Sequence, residues 1–196
     1  MAFNLDEAYQ FTVQLAREAG DILRERYGQV HRVEHKGPTD LVTEADRLSE
    51  AHILSRIRER YPDHDILSEE SGFQSRAGGV RWIVDPLDGT TNFAHGLPLF
   101  GVSIALEVDG ELAVGAIYDP VRDELYSAAR GRGARLNGKP LRVSTVASLQ
   151  DALLVTGFPH DLWENPAENN LGYFAAFAQR TQGVRRLGSA ALDLAY

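Results

Sequence analysis

The apolar run Trp82-Ile83-Val84 passes directly into Asp85-Pro86-Leu87-Asp88-Gly89-Thr90-Thr91-Asn92. No other stretch restricts the fold so tightly. A buried strand has to end where two carboxylates stand three residues apart, and Pro86 stiffens the link between them. Gly89 permits a tight turn, while Thr90, Thr91 and Asn92 are residue types that cap helices. Hard oxygen ligands would then lie beside the unsatisfied N–H groups of a helix start, where a divalent cation and a phosphate can meet.

Upstream, Leu5, Ala8, Thr12, Leu15, Ala19 and Ile22 recur at three- and four-residue steps, which predicts an amphipathic helix stopping near Gly28. Val30 to His35 reads as extended and Lys36-Gly37-Pro38-Thr39 as a turn. Thr43 with Asp46 resembles a capping box opening a second helix, whose apolar face holds Ala45, Leu48, Ala51 or His52, and Leu54 to Ile57. Pro62 ends it. Ile66-Leu67-Ser68 is a short buried strand leading to Glu69 and Glu70, and a polar loop is expected over 73–79.

Downstream the pattern turns to strands. Those expected at 100–108 and 112–118 flank Asp109-Gly110, a strong hairpin signal. Further strands at 124–128 and 134–136 precede a second hairpin at Asn137-Gly138. This predicts an antiparallel sheet with helices packed against it. From residue 148 the order becomes strand 152–157, helix 169–179, strand 184–187 and a short helix capped by Ser189. The expected organisation is α+β passing into α/β: a helix pair with an antiparallel sheet domain over 1–147, then an incomplete C-terminal α/β domain over 148–196.

The chain carries 28 acidic and 20 basic side chains, a net charge of −8 that argues against a generic nucleic-acid binder. Cysteine is absent, which excludes disulfides and thiolate metal sites. The N-terminus has no basic segment followed by an apolar run, and no stretch approaches the ~20 apolar residues of a membrane span. A cytoplasmic protein without membrane attachment is the expectation. No histidine pair shows zinc-ligand spacing, and neither a G-x-S-x-G elbow nor a Walker A loop is present.

Three carboxylate groups remain: Asp46 at a helix start, Glu69 and Glu70 after one strand, and Asp85 with Asp88 after another. Singly, each has a plain structural reading, as a cap, a solvated surface pair or a turn. Together, two of the groups follow short apolar strands, and converging carboxylates repel unless a cation sits between them. Bound Mg²⁺ would reverse the local sign, so that an acidic pocket could accept a phosphate ester. The residues thus point to a metal-dependent phosphatase. An aspartyl-phosphate mechanism fits less well, because its two aspartates stand two apart and here the gap is three.

These segments resemble the inositol monophosphatase family. Its signature looks like Asp85-Pro86-Leu87-Asp88-Gly89-Thr90-Thr91-Asn92-Phe93, supported by Asp40 to Asp46, Ser68-Glu69-Glu70-Ser71 and Gly188-Ser189-Ala190-Ala191. The resemblance covers the whole chain and is nearest to bacterial members, including the extragenic suppressor type. It implies a layered αβαβα sugar-phosphatase fold and Mg²⁺-dependent hydrolysis of a small phosphomonoester, myo-inositol 1-phosphate first. By position, Glu69, Asp85, Asp88 and the Leu87 carbonyl would be the metal ligands. Asp46 and Thr90 would activate water with Glu70 in support. Lys36, Leu87, Asp88, Gly89, Thr90 and Arg185 would lie on the substrate side. The resemblance also implies a homodimer and, as alternatives, a non-catalytic accessory factor for RNA polymerase in ribosomal RNA transcription or a phosphatase for another sugar or nucleotide phosphate. The family's second motif, a Trp-Asp pair beyond Gly188, does not occur, so a chain truncated at the C-terminus and weakly active is expected.

Overall fold

The computed structural model describes residues 4–29, 33–35, 41–76, 79–159 and 169–196. Helix α1 (Leu5–Arg26) is capped by Asn4, whose side chain accepts from the N–H groups of Asp6 and Glu7. It buries Ala8, Thr12, Leu15, Ala16, Ala19, Gly20 and Leu23. The buried stripe therefore ends on Leu23 rather than on the expected Ile22. Gly20 is there for contact: a Cβ at this position would lie 2.3 Å from the Tyr118 ring.

The short antiparallel pair β1 (Val33–His35) and β2 (Leu41–Thr43) leads into helix α2 (Glu44–Arg60). The capping box is formed as expected, with Thr43 and Asp46 exchanging hydrogen bonds. The buried face is more polar than expected, since Ala45, Asp46, Ser49, Ile53 and Ile57 lie inside.

Next come β3 (Asp65–Ser68), β4 (Gly72–Gln74), β5 (Val80–Asp88) and the five-residue helix α3 (Thr90–Ala94). Then follow β6 (Gly101–Val108), β7 (Glu111–Asp119), β8 (Glu124–Ala129), β9 (Ala134–Leu136) and β10 (Lys139–Pro140). They form one eight-stranded sheet in the order β10-β9-β8-β7-β6-β5-β3-β4. Both expected hairpins are present, with Asp109, Gly110, Asn137 and Gly138 all at positive φ.

The sheet is mixed rather than wholly antiparallel, because β3 and β5 pair in parallel. Part of the expected polar loop over 73–79 is the edge strand β4, which runs back along β3. That return brings the chain to the starting end of β3, so β5 begins alongside it in the same direction. Helices α1 and α2 cover one face, over Trp82, Val84, Val102, Ile104 and Leu106. Beyond the sheet lie β11 (Leu153–Val155), α4 (Leu171–Ala178), β12 (Gly183–Arg185) and α5 (Ala190–Ala195), with β11 and β12 paired in parallel. Among the described residues no helix is long and apolar enough to cross a membrane.

Strand β5 carries the irregularity that matters most. It pairs with β6 in register from Val80 to Asp85, then resumes one residue late at Asp88 opposite Gly101. This is a β-bulge, and the doubled position is Pro86-Leu87, both buried. Residues three apart on a regular strand point to opposite faces, but one extra residue returns Asp85 and Asp88 to the same face.

At the other end of the core, Trp82 Nε1 donates to His64 Nδ1 at 3.1 Å, and the His64 ring stacks on Tyr61. Nδ1 is therefore the acceptor and the imidazole is neutral in this arrangement. Burial holds the His64 pKa below its usual 6.5, against the pull of Asp63 and Asp65. A depressed folded-state pKa means stability present above the unfolded value and lost as pH falls through it. Relative to His64→Gln, wild-type protein should thus lose melting temperature between about pH 7.5 and about pH 5.5, a loss that thermal unfolding will reveal.

Candidate active site

The β5 bulge opens onto a cleft of about 580 Å³ lined by Glu69, Asp85, Leu87, Asp88 and the turn Gly89 to Thr91. Its far wall is made by residues 155–158 and by Arg186, Gly188, Ser189, Ala190, Asp193 and Leu194. The two walls come from segments about a hundred residues apart, and specific bonds hold them together. Asn92 Nδ2 donates to the carbonyls of Leu99 and Leu187, each at 2.7 Å. Asp88 accepts from Ser189 Oγ at 2.5 Å and from the N–H groups of Ala190 and Ala191 at 3.2 and 2.7 Å. Asp88 thus fastens the start of α5 to the end of β5.

Asp85 and Glu69 meet side by side. Glu69 follows β3, and its N–H donates to Val84 O at 3.1 Å, which sets its side chain next to Asp85. Burial first, then the charges of Glu69 and Asp88 and a hydrogen bond with Glu69, push the Asp85 pKa up to about 9. A hydrogen bond between two carboxyl groups requires one of them to be protonated, which is the direction in which Asp85 is pushed. Asp85 Oδ1 also accepts from Leu87 N–H at 3.1 Å.

Asp46 lies behind this wall, 1% exposed, and reaches the cleft only through Thr90. Its Oδ2 accepts from Thr43 N–H at 2.8 Å and from Thr43 Oγ1 at 2.5 Å, which is the helix cap. Its Oδ1 accepts from Thr90 Oγ1 at 2.9 Å, and the same hydroxyl lies 2.9 Å from Leu87 O. The two readings of Asp46, as cap and as site residue, are therefore not exclusive: one oxygen serves each. Burial raises the Asp46 pKa, and the hydrogen bonds from Thr43 and Thr90 partly offset that rise. Ser49, one turn along α2, donates to Pro86 O at 2.8 Å.

Gly89 caps α3 in the left-handed region, φ 94°, with no side-chain hydrogen bond at that helix start. Glu70 is not among the cleft-lining residues. Arg185 lies on β12, exposed, with Nη1 on the Val184 carbonyl at 3.3 Å; its neighbour Arg186 is the cation that lines the cleft. Lys36 lies outside the described residues. Sequence reasoning passed over Asp193, a fourth carboxylate in the cleft wall. The signal was a single acid in the apolar run Ala190-Ala191-Leu192-Asp193-Leu194, four residues after Ser189 and so on the same helix face.

Among the described residues, no three acidic or histidine side chains close into a ready-made metal shell. The reason is visible in the bonding, since Glu69 and Asp85 pair with each other while Asp88 is held by α5. The donor set itself suits a hard divalent cation: Glu69, Asp85 and Asp88, three of the four carboxylates in the cleft, border it together with Leu87, whose carbonyl is a further oxygen donor.

The model of the inositol monophosphatase family matches residues 4–196. Nus factor SuhB of Pseudomonas aeruginosa is 46% identical over 190 residues, which cover 94% of this chain and 70% of that protein. Inositol-1-monophosphatase of Synechocystis is 49% identical over 178 residues, covering 90% of this chain and 62% of the relative. The crystal structure of extragenic suppressor protein suhB from Bartonella henselae superposes with a TM-score of 0.91 at 42% identity, over 97% of this chain and 74% of that one. Inositol monophosphatase from Anabaena gives 0.86 at 45% identity, over 98% and 71%. A bulged strand delivering two aspartates to one cleft, on an α+β layered fold shared with these proteins, makes this chain a member of the inositol monophosphatase family.

Proposed function

We propose that this protein hydrolyses a small phosphomonoester with the aid of Mg²⁺, myo-inositol 1-phosphate being the first candidate. The observation that carries the reading is the convergence of Glu69, Asp85 and Asp88 with Leu87 on one cleft at the bulge, carboxylates whose mutual repulsion a cation would relieve. In this reading Glu69, Asp85, Asp88 and the Leu87 carbonyl hold the metal. Bound there, a divalent ion supplies Lewis acidity toward phosphoryl oxygens and makes water a stronger acid.

The chain's own groups do the rest. Thr90 Oγ1 accepts a hydrogen bond from the attacking water while its proton is directed at Asp46 Oδ1. As the water oxygen bonds to phosphorus, its proton passes to Thr90 and the Thr90 proton moves to Asp46; the ester P–O bond breaks. The leaving oxygen keeps its electron pair and takes a proton from solvent water to depart as the alcohol, and Asp46 returns its proton to the hydroxide so formed. A carboxylate raised in pKa by burial suits that acceptor role. Asp46 therefore acts through Thr90 as a positioning and proton-accepting group. The uncapped N–H groups at Gly89 and Thr90 face the transferred phosphoryl oxygens. Glu70 supports Glu69, and Arg186 on the cleft wall contributes positive charge beside the site.

Phosphate release from myo-inositol 1-phosphate should rise well above background with Mg²⁺ and return to background with EDTA. No magnesium-dependent release from inositol, sugar or nucleotide monophosphates would overturn the proposal. A second reading rests on the relatives named Nus factor: an accessory role at RNA polymerase that needs no catalysis. An Asp88→Asn variant that loses phosphate release but still binds polymerase would separate the two. A homodimer is part of the same proposal, and light scattering tests it.

A further inference from the structure

Among the described residues, three buried side-chain polar atoms have no hydrogen-bond partner: Arg81 Nε, Asn170 Oδ1 and Asp193 Oδ1. Only Asp193 belongs to the cleft. A buried acceptor without a donor is costly and calls for an explanation. Asp193 cannot readily turn away, because both sides of its short helix are fixed. Leu192 is fully buried, close to Gly101 on β6, and the Asp193 N–H is bonded to Ser189 O at 2.9 Å.

The surroundings say what kind of donor is missing. A phosphate dianion brings only acceptors and negative charge, so it is the wrong group to meet a carboxylate. Asp193 feels the negative charge of Asp88 and, more weakly, the positive charge of Arg186, which lines the same wall and already supplies a cation there. That guanidinium is folded over Gly188, where a Cβ would lie 2.8 Å from Arg186 Nη1. A neutral hydroxyl satisfies both neighbours, donating to the carboxylate and accepting from the guanidinium. Phe158 and Leu194 add apolar surface to the same wall, suited to the C–H face of a carbon ring. The cleft, about 580 Å³, has room for such a ring beside a phosphate.

We infer that Asp193, with Arg186 beside it, is a specificity residue that takes a hydroxyl of the substrate's alcohol and so selects polyol phosphates over phosphate esters lacking hydroxyls. The inference rests on the phosphatase reading and narrows its substrate class.

The test compares wild type, Asp193→Ala and Asp193→Asn on myo-inositol 1-phosphate and on p-nitrophenyl phosphate, with magnesium present. The ratio of kcat/KM for the inositol ester over the aryl ester should fall roughly 10- to 100-fold in Asp193→Ala, the scale of one hydrogen bond to a charged group. Asp193→Asn keeps Oδ1 as an acceptor and should recover part of that ratio. An unchanged ratio overturns the inference, and so does weaker magnesium binding by calorimetry at constant ratio, which would assign Asp193 to the metal instead. Binding of free myo-inositol gives a readout without turnover. If wild type hydrolyses neither ester, the phosphatase reading fails separately. Inositol binding then decides, with loss in Asp193→Ala supporting the inference and retention overturning it.

Discussion

Asp85→Asn is expected to stabilise the cation-free protein while abolishing its response to magnesium. Asp85 sits beside Glu69 and Asp88 with its pKa pushed up to about 9, so the folded state holds a proton that the unfolded chain releases near 3.8. Folding stability from this group is full below the unfolded value and is lost as pH rises through the folded one. Asparagine does not titrate, can still accept from Leu87 N–H through Oδ1, and can donate to Glu69 through Nδ2. In EDTA the variant should therefore melt higher than wild type, with the gap widening from about pH 6 to about pH 8.5. Magnesium should raise the wild-type melting temperature, and more so at higher pH, because cation and proton compete for the same oxygens. The variant should show no such rise, and its phosphate release should drop on the order of 10³-fold, the scale for losing a charge-stabilising group at the reacting centre. A variant that melts below wild type in EDTA would contradict the account of the Glu69–Asp85 pair.

Gly89→Ala should damage both stability and rate. At φ 94° the position is left-handed, and a Cβ would lie 2.9 Å from Leu99 O and 3.3 Å from both Gly188 O and Phe100 Cα. All three neighbours are main chain from other segments, so none can give way as a side-chain tip would. The backbone term alone is about 1–3 kcal/mol, and the crowding adds to it. For a chain of this length each kcal/mol moves the melting temperature by roughly 2–4 °C. Thr90 is the next residue, and shifting it by about 1 Å would cost roughly 10²-fold in kcat. Gly28→Ala is the matched control: φ is 77°, but nothing lies within 4 Å of its Cβ position. It should show the backbone cost without the loss of rate. Equal kinetic effects at the two glycines would argue against the tight approach at Gly89.

Where one physical cause dominated, the sequence was easy to read. The stripe of α1 and the Asp109-Gly110 and Asn137-Gly138 turns emerged because burial and positive φ act there without competition. Helix α2 was harder. Asp46 and Ser49 sit on its buried face because each bonds to the cleft wall, Asp46 to Thr90 and Ser49 to Pro86 O, so function blurs the apolar pattern. Strand β4 is three residues at a sheet edge, with Phe73 56% exposed, and leaves almost no burial signal to detect. The parallel pairing of β3 with β5 follows from where β4 turns the chain, which no local pattern encodes. Asp85 and Asp88 could be named from their neighbours in sequence. Their hold on distant partners, Asp88 on Ser189 above all, became legible only once the chain was folded.

The doubled residue in β5 has an effect beyond aiming two side chains. A strand in perfect step would hand its peptide oxygens to the ladder on either side. Here the slip turns two of them aside: the Pro86 oxygen accepts from Ser49 at 2.8 Å, and the Leu87 oxygen lies 2.9 Å from the Thr90 hydroxyl. With aspartates only two apart the strand would need no such slip, and those oxygens would stay committed to neighbouring strands. The odd interval therefore enlists the polypeptide itself, and not its side chains alone, as coordinating and aligning material.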